Sequence, residues 1–115
     1  VEALDAVDGK DVAAIAEMYL LDDKGERLSR EPWTVVYADS EDVARVNRSA
    51  DKTFDLQEST YWSTEPGVPF PHAVVIDLGS DRILSGFRYL PRMEAEVPGA
   101  IRNYRIYVSA SPFRL

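Results

Sequence analysis

At 115 residues and 12.9 kDa the chain has the size of one domain, and an apolar fraction of 45% with 10% aromatics can fill one core, against intrinsic disorder. Thirteen basic residues against twenty acidic ones leave a formal charge of −7, which repels phosphate backbones and anionic membrane surfaces, so nucleic acid is not an expected partner. No apolar run nears the ~20 residues of a membrane span; the absence of Cys excludes disulfides and thiolate chemistry, and a single His, His72, excludes histidine metal clusters. The chain opens on Val1-Glu2-Ala3, with no initiator Met or signal-peptide pattern, and reads as a cut or processed end.

The first 21 residues support two readings. Val12–Ile15 with Ala16, Glu17, Met18 and Leu20 are mostly good helix formers. The Asp8-Gly9 turn signal instead suggests a hairpin, in which Ile15, Glu17 and Tyr19 alternate with Ala14, Ala16 and Met18 as in a half-buried strand. Asp22-Asp23-Lys24-Gly25 is a second turn, leading toward the β-branched and aromatic run Trp33–Tyr37. From Ala38 to Ser63 the chain is polar and reads as a long ordered loop. Glu65–Pro71 holds three of the seven prolines and cannot be a central strand. The clearest strands follow at Ala73–Leu78, Ile83–Leu90 and Ile101–Ser109, joined by Gly79-Ser80-Asp81 and Glu94–Gly99. The pattern predicts an all-β domain with short strands and long loops.

Taken together, Ser59-Thr60-Tyr61-Trp62-Ser63-Thr64, Val74-Val75-Ile76-Asp77-Leu78-Gly79, the segment Ile83–Arg92 and Tyr104-Arg105-Ile106-Tyr107-Val108-Ser109 resemble the discoidin family, also called the coagulation factor 5/8 type C domain. Within that family the chain is most similar to bacterial family 32 carbohydrate-binding modules. The resemblance covers Trp33 to Ser109 and implies a jelly-roll β-sandwich of the galactose-binding domain-like class. Two departures stand out. The family's Asp-Gly-Asp is Asp55-Leu56-Gln57 here, which loses a glycine suited to positive φ and one acidic oxygen. Residues 1–28 resemble the closing strands at the family's C-terminus but come first. Either the single domain 1–115, with its main sandwich at 33–111, is circularly permuted and incomplete at its C-terminus, or the chain joins the tail of one unit to the start of the next.

The resemblance also implies sites. Calcium takes about six to eight oxygens, and the family pattern points to Asp55 and Thr60, with Gln57 as a neutral substitute and Glu17 approaching from the N-terminal strand. The alternative is that Asp55 and Thr60 cap turns while Glu17 bonds the loop backbone. For a sugar, an apolar platform with convergent polar groups points to Phe70, Glu65, His72 and Arg92. Arg92 could equally pair with Glu94 or Glu96, and His72 could be a satisfied rim histidine. No carboxylate spacing, nucleophile motif or phosphate loop marks catalysis, so the chain is not expected to be an enzyme. The expected function is a non-catalytic carbohydrate-binding module of a larger bacterial protein, extracellular, periplasmic or at the cell surface, with a glycan or polysaccharide as partner. The rival is a discoidin-fold structural or protein–protein interaction domain that pairs with other domains or subunits.

Overall fold

The conflict in the first 21 residues resolves as strand. The computed structural model describes residues 1–91 and 99–113. Among these the strands are β1 (Glu2–Ala6), β2 (Ala14–Ile15), β3 (Glu17–Leu21), β4 (Thr34–Ala38), β5 (Trp62–Ser63), β6 (His72–Asp77), β7 (Gly86–Leu90) and β8 (Ile101–Arg105), with a 3-10 turn at Ala50–Phe54. Every residue from Val12 to Met18 is buried. A helix would turn part of that run to solvent, whereas an extended segment between two layers buries both faces. Ala13, Ile15 and Met18 join the main core with Trp62 and Val74, while Ala14 and Ala16 pack with Tyr61 and Leu90. The strand is therefore covered on both sides, not half-buried. Small residues are required: a Cβ on Gly99 would stand 2.6 Å from that of Ala14, and Gly99 holds φ 127° while its carbonyl accepts the Ala14 N–H at 2.9 Å.

The Asp8-Gly9 turn exists, but the hairpin does not. The β1 strand pairs with β6 and β8, and β2 with β5, so the two arms of the turn enter different sheets. The main sheet is antiparallel in the order β4-β6-β1-β8, and β3 pairs with β7 from Glu17 opposite Leu90 to Leu21 opposite Gly86. This is the expected all-β architecture of a discoidin sandwich, with Trp62 in its core. The strand expected at Ile83–Leu90 begins at Gly86, and the one expected at Ile101–Ser109 ends at Arg105, because Ile106–Val108 find no partner strand among the described residues and are exposed.

The polar stretch 38–63 is fastened by side chains. Glu41 accepts the Ala50 N–H at 2.6 Å, the Thr53 hydroxyl donates to the Ala50 carbonyl at 2.8 Å, and the Trp62 indole N–H donates to the Ser40 carbonyl at 2.9 Å. These bonds fix the loop ends on which any binding site at this edge must be built.

Candidate functional site

The loop of residues 42–48 is pinched at its neck. The Arg48 N–H donates to the Asp42 carbonyl at 3.0 Å, the Asp42 N–H to the Ser63 carbonyl at 2.8 Å, and the Ser63 N–H to the Arg48 carbonyl at 3.1 Å. Closing the neck brings the Arg48 guanidinium 4.0 Å from the centre of the Tyr61 ring. Beside this pair opens a cleft of about 560 Å³, lined by Asp42, Arg45, Val46, Arg48, Tyr61 and Pro66 among others. Glu65, the residue before Pro66, is exposed, and its N–H donates to the Ser40 hydroxyl at 2.8 Å. The cleft thus joins an aromatic-guanidinium pair to carboxylate and guanidinium groups, the mixture that grips a polyhydroxylated ligand.

The other residues expected at a sugar site go elsewhere. His72 is fully buried: its Nδ1 lies 2.8 Å from the Asp39 carboxylate and its Nε2 2.8 Å from the Asp11 carbonyl, so it is not at the rim. Phe70 packs against the core and tilts onto the His72 ring at 4.7 Å, which makes it a poor platform. Arg92 lies outside the described residues. Arg48 and Tyr61 were not among the residues expected at a sugar site, because nothing periodic marks them: their contact depends on the pinched neck.

The four residues expected to hold calcium partly gather. The Asp55 carboxylate accepts the Gln57 N–H at 3.1 Å and the Thr60 hydroxyl, which also lies 3.0 Å from the Gln57 carbonyl. The Gln57 carbonyl also accepts the Thr60 N–H at 3.3 Å, so these oxygens are partnered within the turn, and a hard cation would share them. Glu17 is buried, and one of its oxygens accepts Arg30 at 2.7 Å; Arg30 also reaches the Met18 carbonyl at 3.2 Å. Burial pushes the Glu17 carboxyl above its ordinary range; the Arg30 bond pulls it back, while the Asp55 and Glu58 charges push it up again. No three Asp, Glu or His side chains converge among the described residues, so a cation here would draw on Thr60 and carbonyl oxygens as well as carboxylates. With that proviso the donor chemistry fits.

Leu56 takes up the positive φ expected of the missing glycine, at 65°, where a side chain costs about 1–2 kcal/mol. Its side chain is 70% exposed.

Residues 35–112 match the model of the F5/8 type C domain family. Strands β1 to β3 precede the matched span yet pair with its strands β5 to β8. A protein named as a sialidase from Micromonospora viridifaciens is 32% identical over 88 residues, which cover 71% of this chain and 13% of the relative. Domains of this type are typically binding modules, distinct from the catalytic part of the proteins that carry them. The chain belongs to the F5/8 type C, or discoidin, domain family.

Proposed function

We propose that the chain is a non-catalytic glycan-binding module of a longer carbohydrate-active protein that works outside the cytoplasm. The observation that carries this reading is the cleft where Arg48 stacks on Tyr61 beside Asp42, Arg45 and the Glu65-Pro66 step. The name of the sialidase relative adds support for a carbohydrate context. A tethered module of this kind works by raising the local concentration of its parent protein at a polysaccharide. On a glycan array Arg48→Ala is expected to lower binding by about tenfold or more, the worth of a charge-assisted hydrogen bond. Its melting temperature should stay near that of the parent. A blank array from folded parent protein, or unchanged binding by the variant, would overturn the reading.

Calcium belongs to the same proposal. Asp55, Thr60 and the Gln57 residue, through its carbonyl, would hold it, with the second Glu17 oxygen completing the acidic side. When bound it would neutralise these oxygens and fasten the Asp55 loop to β3. Added calcium should raise the melting temperature by several degrees, chelator should reverse this, and Asp55→Ala should abolish the response; identical melting curves with calcium and with chelator would remove the ion from the account. The N-terminal position of β1 to β3, outside the matched span but paired with it, supports a permuted order of strands.

A second reading rests on a different observation. The β8 edge carries Tyr104, Ile106, Tyr107 and Val108 with 38–69% of their surfaces exposed, a row of apolar groups suited to another chain. Sedimentation of this chain as a monomer at high concentration would count against an interaction domain that pairs with itself.

A further inference from the structure

A cleft of about 500 Å³ opens between the turn after β3 and the end of the 3-10 turn, and shares no lining residue with the Arg48–Tyr61 cleft. Its floor is Tyr19, over which two guanidinium groups lie, Arg27 at 4.0 Å and Arg30 at 4.5 Å from the ring centre. Arg30 is spent on Glu17 and the Met18 carbonyl, which fixes the ring from one contact. Arg27 pairs with no carboxylate among the described residues and keeps its N–H groups for another acceptor. Ser29 and Glu31 add a hydroxyl and a carboxylate, and Phe54 and Leu56 supply an apolar wall.

Leu56 is the informative residue. Among the described residues it is the only non-glycine at positive φ, and it holds that conformation with its side chain mostly in water. In the free protein neither feature gains anything: glycine would make the same turn without strain, and the side chain buries little. An apolar group held at such a cost on the rim of a cleft has its use in what enters the cleft.

We propose that this cleft is a second saccharide subsite, which takes one neutral sugar ring. It rests on the glycan-binding reading above and extends it to a separate face. The C–H face of the sugar lies on Leu56 and Phe54, Arg27 donates to one or two hydroxyls, and Glu31 accepts from another. The neutral class follows from charge: Arg30 is already paired with Glu17, Glu31 offsets Arg27 in the lining, and the chain carries −7, so no unmatched cation is left to hold an acidic sugar. The volume lies within the range of small-ligand sites. Two subsites on one module allow it to engage one polysaccharide twice, with avidity above either site alone.

The test is an NMR titration of the whole chain with a panel of neutral trisaccharides built on galactose, glucose, mannose or N-acetylglucosamine, with trigalacturonate as the acidic comparison. At least one neutral member is expected to shift the signals of Tyr19, Arg27 and Leu56, with trigalacturonate weaker. Arg27→Gln should weaken those shifts by about tenfold in affinity. Leu56→Gly should weaken them severalfold and raise the melting temperature, since it removes strain together with the apolar contact. Shifts confined to the Arg48–Tyr61 cleft would overturn this proposal and leave the module reading standing. No shifts at either cleft would overturn both, and equal binding of trigalacturonate would overturn the neutral specificity. A Leu56→Gly protein that melts lower would show the residue to be structural.

Discussion

Trp62→Ala is expected to remove a large part of the stability of the domain. Trp62 is 1% exposed and stands at the centre of the main core with Ile15, Met18, Ala50 and Val74. Its truncation removes a large buried surface, leaves a cavity that short strands cannot collapse around, and deprives the Ser40 carbonyl of the indole N–H. Such a change costs about 3–5 kcal/mol, against a total stability of about 5–15 kcal/mol for a domain. The effect should also spread, because β5 is two residues long and holds β2 through the Ile15–Trp62 pair. A thermal melt followed by circular dichroism should show a midpoint lowered by at least about 15 °C or no cooperative transition. A drop under about 5 °C would show that the core closes over the gap.

His72→Ala is expected to act on stability, not on recognition. The ring ties together three separate stretches of chain: the connection after β1 through the Asp11 carbonyl, the end of β4 through Asp39, and β6, to which His72 itself belongs. Asp39 also accepts the Ala73 N–H at 2.7 Å, so its carboxylate is fixed from two sides. Without the imidazole, one carboxylate oxygen and one carbonyl face a void, at a cost of about 3 kcal/mol or more. The melting temperature should fall by about 10 °C or more, while glycan affinity measured on the folded fraction at low temperature stays unchanged. The opposite result, normal melting with lost binding, would restore the ligand role that the sequence suggested.

The contrast between these two residues shows what a sequence of this kind discloses. The motif that holds Trp62 was legible because it is local, running from Ser59 to Thr64 before the Ile76-Asp77-Leu78-Gly79 step, and local motifs survive in one dimension. The strands at Thr34–Ala38 and His72–Asp77 were legible for the same reason, since β-branched and aromatic residues mark them directly. His72 was not legible, because its partners lie 33 and 61 residues away, and nothing near it announces two acceptors closing on one ring. The hairpin about Asp8-Gly9 failed in the same manner: the turn chemistry was right, but distant strands offered β1 better pairing than its neighbour did. At Leu56 the sequence did report the departure, as a glycine position filled by a residue that resists it, and the backbone kept the glycine conformation nonetheless.

The placement of β1 has a consequence for how the molecule is made. Glu2 faces both Ala73 and Arg105, so the strand translated before the other seven occupies an inner position whose far neighbour is translated after them all. A sheet assembled in that order cannot grow outward from a finished hairpin; its interior closes only when segments about a hundred residues apart meet, a topology that folds in milliseconds to seconds rather than microseconds. Until then β6 and the waiting β1 each keep a bare edge, and two chains emerging side by side can exchange these strands.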